Sequence, residues 1–383
     1  MTNVLISGAS VAGPALAYWL NRQGMRVTIV EKAHAVRPGG LAVDFRGSAM
    51  WILEQMGILD ELRRHATGSG DATIVAEDGT PIATMPGEIF SGDLEVHKAD
   101  LTRILYELTS ADTEYVFGDS IRAISQLDHG VRVNFERGEP RTFDLVIGAD
   151  GLHSRVRALA FGPDERFAHS LGYWFASFSL ENYLNLAREG LTHVCGHRSA
   201  NIFAGRVGSE ARALFMFAAP PEEPPRGDVA AQQRAIAEAY AGVGWEVPRL
   251  LDAMAESADF YFDTLSQIRM DTWSTGRVAL VGDAGYCASP MSGRGTSQAL
   301  IGAYVLAGEL ATAPDRATAF ASYERILRDY VEANHELGRQ ATASLEVPPT
   351  QEMIDAMTEA PPEGGPSNDD VPLPDYRTHL TVL

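Results

Sequence analysis

Val4-Leu5-Ile6-Ser7-Gly8-Ala9-Ser10-Val11-Ala12-Gly13, with Glu31 eighteen positions beyond Gly13, is the stretch that decides the fold. A short apolar run reaches a glycine-bearing turn. Ala15, Leu16, Trp19 and Leu20 then recur at helical spacing until Gly24, and Arg26 to Val30 reads as a second strand. Gly8-x-Ser10-x-x-Gly13 suits a dinucleotide site, which needs a tight turn, a close backbone approach and a small residue where helix meets strand. Phosphates would rest on the turn formed by Ser10, Val11, Ala12 and Gly13, where free N–H groups and the helix dipole favour negative charge. Glu31, with Lys32 beside it, is placed to accept hydrogen bonds from ribose hydroxyls. Ser10 stands at the second glycine position and narrows the approach by one small side chain. A glycine-rich turn before a helix also serves plain packing, so this motif alone does not define a function.

Two more motifs lie downstream. In Leu145-Val146-Ile147-Gly148-Ala149-Asp150-Gly151-Leu152-His153-Ser154-Arg155-Val156-Arg157 an apolar strand enters a turn, and Ser and Arg open a helix. Read locally, Asp150 caps backbone amides and Arg155 is solvated. In Arg277-Val278-Ala279-Leu280-Val281-Gly282-Asp283-Ala284-Gly285 a strand delivers Asp283 at its C-terminal end, where α/β sheets bind ligands. The chain continues through Pro290 and Met291 to Gly293-Arg294-Gly295-Thr296, which opens a long small-residue helix. Pro290 fixes the backbone of that loop.

Between these motifs the texture alternates. A helix is expected from Ser48, as N-cap, to Met56. A hairpin is expected over Thr73–Ala76 and Ile82–Met85, a helix over Leu101–Leu108, and a strand pair over Val131–Glu136 and Thr142–Ile147. Aromatic strands are expected at Tyr173–Phe178, Leu214–Phe217 and Phe260–Phe262, with helices near 229–242 and 246–256. Val278–Val281 reads as a buried strand, and Gly295–Leu310 and Ala317–Leu337 as helices. The fold class is therefore α/β. A Rossmann-like nucleotide-binding domain (1–72, 98–165 and 272–346) carries an inserted sheet-rich substrate domain (73–97 and 166–271) and ends in a C-terminal helix. Residues 347–383, rich in Pro, Gly and acids, read as a loosely packed tail.

With 383 residues the chain can form two packed lobes. Its 31 Lys and Arg against 51 Asp and Glu leave a formal charge of −20, which disfavours nucleic acid and anionic membranes as partners. An anionic cofactor must then be held by local devices. Cys195 and Cys287 are too few for a disulfide framework, so a cytoplasmic location is expected. The N-terminus has no basic n-region, and no apolar run reaches the roughly 18 to 20 residues of a spanning helix. His193-Val194-Cys195-Gly196-His197 would place His, Cys and His on one strand face, but no fourth ligand is evident and no metal is expected.

Together, in this order and spacing, the three motifs resemble the FAD-dependent aromatic hydroxylases, the group of single-component monooxygenases that includes para-hydroxybenzoate hydroxylase and the tetracycline-modifying monooxygenases. The resemblance covers the chain to about residue 340. It implies FAD in the Rossmann-like domain, NADPH or NADH as reductant, and a sheet floor over the substrate. The implied reaction inserts one oxygen atom from O2 into an aromatic or polyketide-like small molecule through a flavin C4a-hydroperoxide. By position, Gly8, Gly13 and Glu31 would hold the ADP half, Asp283 the ribityl chain, and Gly293 and Gly295 the pyrimidine side. Asp150 and Arg155 belong to a motif serving FAD and NAD(P)H. The segment Gly39-Gly40-Leu41-Ala42-Val43-Asp44-Phe45-Arg46-Gly47 resembles the family's glycine–acid segment, with Asp44 and Arg46 as its candidates.

Departures are visible. Lys98 stands where many members carry arginine and lacks its bidentate fork. Tyr286 replaces a common histidine, Ser297 a frequent asparagine and Gly302 a frequent aspartate. Tyr173, Trp174, Phe175, Phe203, Phe215, Phe217 and Met291 are candidate substrate walls; no residue is marked as a catalytic base. The alternatives are a flavoenzyme performing epoxidation, Baeyer–Villiger insertion or two-electron oxidation, and a protein that binds FAD or a ligand without turnover.

Overall fold

The computed structural model describes residues 1–36, 40–87, 92–205, 210–219, 224–346, 350–359 and 369–376. Gly39 of the glycine–acid segment lies outside them. The opening motif forms β1 (Asn3–Ser7), α1 (Ala12–Arg22) and β2 (Arg26–Glu31). Ala15, Leu16, Trp19 and Leu20 turn one face of α1 into the core, and Gly24, at φ +73°, reverses the chain toward β2. β1 is flanked in parallel by β2 and by Leu145–Gly148, and the latter pairs in parallel with Val278–Leu280. Thr113–Phe117 and Ser274–Thr275 complete a six-stranded sheet. The three motif-bearing strands are therefore adjacent and parallel, and their C-terminal ends open on one edge.

A seven-stranded sheet forms the second layer, ordered Tyr261–Ile268, Ala168–Leu180, Ala211–Ala218, Arg198–Ala204, Glu189–Val194, Ala72–Val75 and Pro81–Met85. The Val229–Ala239 and Val247–Glu256 helices cover its back through Ile236, Tyr240, Val247 and Leu250. Two long helices, Gly295–Thr312 and Arg316–Ala343, close the fold.

Three local expectations are corrected. Thr142–Ile147 is two strands, because the Asp144 carboxylate accepts from Asn3 N (2.7 Å). The chain leaves an antiparallel sheet (Arg141–Phe143) and enters the parallel one there. Ser48 does not cap its helix. Gly47 does so at φ +50°, and the Ser48 hydroxyl donates to Val371 O. The described part of the tail is packed rather than loose. Val371 and Tyr376 are buried, and the Tyr376 hydroxyl donates to Glu309 (2.5 Å). Among the described residues no helix is long and apolar enough to cross a membrane.

Candidate functional site

The glycine turn is built to admit no side chains. Gly8 sits at φ +109°, and a Cβ there would lie 2.4 Å from Ala149 O. A Cβ on Gly13 would lie 1.9 Å from Gly8 O. The first motif is thus locked against the second by backbone contact. Ser10 is exposed at the turn, while Val11 and Ala12 are buried beneath it. Glu31 ends β2 half-buried; its carboxylate accepts from Ala9 N (3.0 Å) and Ala33 N (2.8 Å), and Lys32 beside it is exposed.

Asp150 is the cap that local reading allowed. Its carboxylate accepts from Ser154 Oγ (2.5 Å), Arg155 N (2.9 Å), Val156 N (3.2 Å) and Ser7 Oγ (3.2 Å). Burial raises its pKa above the ordinary carboxylate range, and these donors oppose the rise. The Arg155 side chain is not free in solvent: it donates to the carbonyls of Ile121 and Arg122. The sequence reading passed over Arg157, which is fully buried. Its guanidinium donates to Ala284 O (2.8 Å), Leu152 O (2.6 Å) and Asp164 (2.9 Å), tying the second motif to the third.

The third motif closes the ring. A Cβ on Gly282 would touch the Ala12 Cβ at 3.2 Å, so the Asp283 turn packs against α1. Asp283 opens onto the cleft but has protein on its other sides. That burial raises its pKa, and the Lys98 ammonium opposes the rise. The site of a Gly295 Cβ is 3.7 Å from Asp283 Oδ1, and that of a Gly293 Cβ is 4.0 Å from Asp44 Oδ2. Asp44 is bonded by Arg46 Nε (3.1 Å); burial raises its pKa, and the Arg46 and Arg294 charges oppose this. Lys98 lies against Gly40. Pro290 is exposed and opens a 3-10 turn, Ser289 before it is held at φ +76°, and Thr296 is half-buried at the helix start. Backbone strain of this kind persists where surrounding structure enforces it.

Strand alternation divides the aromatic candidates. Tyr173, Phe175 and Leu265 cluster with Leu214, Met216 and Met291, so the loop after Asp283 touches the sheet floor there. Phe203 shares that face through its pairing with Arg212, but lies outside the cluster. Phe215 and Phe217 do not join the wall. With Trp174 they point to the opposite face, where Tyr240 packs 4.5 Å from Phe215, because alternate residues of a strand face opposite sides. A polar group missed from the sequence faces the cleft beside Phe175. The Tyr261 hydroxyl donates to Asp263 Oδ2 (2.9 Å), and Asp263 Oδ1 lies 3.0 Å from His153 Nε2. His153 was legible as part of the second motif, but its partner a hundred residues on was not.

His193 Nδ1 lies 3.0 Å from Val75 O, and its ring packs on Trp245, while Cys195 lies beside Arg198. Among the described residues no group of three or more His, Cys, Asp or Glu could hold a metal ion.

The geometry has the form of a dinucleotide-binding cleft facing an aromatic sheet, and comparison with known proteins agrees. Residues 1–343 match the family described as FAD binding domain. An uncharacterised protein of Mycobacterium tuberculosis (strain H37Rv) is 46% identical over 344 residues, 88% of this chain and 92% of that one. A flavin-dependent monooxygenase of Legionella longbeachae is 38% identical over 340 residues, 88% and 87% of the two chains. The crystal structure of the tetracycline destructase Tet(55) superposes with a TM-score of 0.86 at 38% identity, covering 94% of each chain. The chain belongs to the FAD-binding family of flavin-dependent monooxygenases. It is an FAD-dependent oxidoreductase of that class, as the motifs led one to expect.

Proposed function

We propose that the enzyme uses NADPH or NADH to insert one oxygen atom from O2 into an aromatic or polyketide-like small molecule. The observation that carries this reading is the meeting of Asp283, Gly295, Asp44 and Gly293 at one mouth, with Met291 of the same loop against Tyr173 and Phe175. Bound FAD would supply the oxygen activation, as cofactors do for such chemistry. The residues present fit it. Gly8 and Gly13 let the backbone of the turn approach a pyrophosphate, with the small Ser10 side chain exposed beside it, and the open Asp283 carboxylate can accept from a ribityl hydroxyl. Glu31, at the end of β2 and bonded to Ala9 N and Ala33 N, could also accept from a ribose hydroxyl, and the N-terminus of the Gly295–Thr312 helix would favour electron-rich groups. Ser10, Val11, Ala12, Lys32, Lys98, Arg46, Pro290 and Thr296 complete the proposed binding set.

The protein's own contribution is position and exclusion of water. Tyr173, Phe175 and Met291, backed by the buried Leu265, would form an apolar wall for a planar substrate and keep water from the reacting atoms. Similarity to Tet(55) makes tetracyclines the first members of a substrate panel.

The test is the visible absorbance of the purified protein, followed by NADPH and NADH oxidation with phenols and polycyclic polyketides under labelled O2. Flavin bands with ligand-stimulated oxidation and one labelled atom in product support the proposal. Turnover without label would replace it with two-electron oxidation.

A further inference from the structure

A cleft of about 760 Å³ lies apart from the motif-lined mouth, on the other side of the Gln267–Ala288 contact. The turn before the Ala168–Leu180 strand, the segment following Tyr261–Ile268, and the Arg328–Arg339 stretch of the Arg316–Ala343 helix line it. Arg166, Arg269, Arg328 and Arg339 line it together with His169 and His335, in a chain of net charge −20. Apolar walls come from Phe167, Met270, Trp273 and Val331.

The pairing of these cations decides what the cleft can take. Arg328 is spoken for: it stacks 4.1 Å over Trp273, donates to Met270 O and Asp271 O, and lies 3.5 Å from Glu324. Among the described residues Arg339 pairs with Glu336, one turn back on the exposed helix face. Arg166 and Arg269 are in no ion pair among the described residues; the lining acids Asp271 and Glu332 are exposed at the rim. Arg269 is instead held from behind. Its Nε and Nη2 both donate to Gln267 Oε1 (3.1 and 2.5 Å), and the fully buried Gln267 is anchored through Nε2 to Ala288 O and His335 O.

Arg269, Arg339 and His335 stand close enough to repel one another when charged, and the exposed Glu336 carboxylate, paired with Arg339, also acts on Arg269, so an incoming anion competes with it. A guanidinium fixed by a neutral amide, facing another across an accessible cleft, is a preorganised fork for an oxyanion.

We propose that this cleft binds a small polyanion through its carboxylate or phosphate oxygens, held between Arg269 and Arg339 with Arg166 at the rim. The apolar walls take the remainder of the molecule, and Trp273 reports its arrival. This site is separate from the proposed FAD cleft, and its test does not depend on turnover.

The experiment titrates the FAD-loaded protein with pyrophosphate and, separately, with citrate, at ionic strength held constant with NaCl. Heat and tryptophan fluorescence are read together. One saturable site is expected, and its preference between the two anions tells phosphate from carboxylate chemistry. Arg339→Gln, on an exposed helix face where folding is not at risk, should weaken binding about tenfold, and Arg269→Gln at least as much. No saturable binding by either anion would overturn the proposal, as would unchanged affinity in folded Arg339→Gln protein.

Discussion

The Tyr286 hydroxyl occupies the place a side chain on Gly302 would take: a Cβ built on Gly302 falls 2.0 Å from it. These are two of the positions at which the sequence departs from the resemblance, and the structure brings them together as one packing unit. The hydroxyl lies 2.9 Å from that of Tyr323, which also reaches Leu280 O (3.0 Å), so the unit is buried and bonded.

Gly302→Ala should therefore destabilise the protein by about 1–3 kcal/mol despite the better helix propensity of alanine, because the added methyl overpacks the core. Adding Tyr286→Phe, which removes the obstructing oxygen, should recover part of the loss. Urea unfolding of the two single variants and the double variant measures the coupling; strictly additive effects would refute it.

Gly8→Ala should abolish tight FAD retention and cost at least about 2 kcal/mol. The new Cβ collides with Ala149 O at a φ that side chains rarely adopt. Ser10→Gly, at an exposed turn position, should fold normally. The flavin-to-protein absorbance ratio after desalting checks both.

Asp283→Asn tests a conflict between stability and binding. Burial raises the carboxyl's folded pKa, so the folded apoprotein holds its proton more tightly than the unfolded chain. The destabilisation is absent below the unfolded value near 3.8, grows as pH rises through the folded pKa, and is complete above it. Because Asp283 is open to solvent on its cleft side, Asn should raise apoprotein stability at pH 7 only slightly, while FAD affinity falls. Unchanged FAD affinity in the folded Asn variant would contradict a binding role for Asp283.

His335 has the opposite slope. Burial lowers its pKa to about 4, so the folded state binds fewer protons than the unfolded chain between about 4 and 6.5. The neutral ring's contribution is full above pH 6.5 and is lost as pH falls toward 4, by up to about 3 kcal/mol. His335→Gln keeps a group able to reach Cys287 O and should flatten this part of the stability profile. Denaturant unfolding at half-unit pH steps reads the difference.

Arg157→Met should destabilise by about 3 kcal/mol or more, since it leaves Ala284 O and Leu152 O without their buried donor. It should also loosen FAD, because Ala284 adjoins Asp283. Full flavin retention in a folded variant would separate the two motifs.

Much of the framework was legible because its signals are local. The glycine turn, the helical spacing of Ala15 to Leu20 and the acid ending β2 each depend on residues within one or two turns. Small errors arose where a distant residue competed. Ser48, read as an N-cap, instead bonds Val371, and the strand after Thr142 breaks at Asp144, which bonds Asn3. The aromatic walls were half legible: composition placed rings on the strands, but period-two alternation needs the pairing register to tell Phe175 from Phe217.

By itself the sequence determined the motif order, the α/β class and the chemistry each motif admits, since turn sterics and hydrophobic period act along the chain. Only the tertiary structure decided the rest. It set Gly8 against Ala149, Arg157 on Ala284, Tyr286 into the space at Gly302, and Asp263 beside His153. These contacts span between 16 and 141 residues of sequence (302 − 286 and 149 − 8), and no local preference encodes them. They form because parallel strands bring remote turns to one edge, where close packing leaves room for one arrangement.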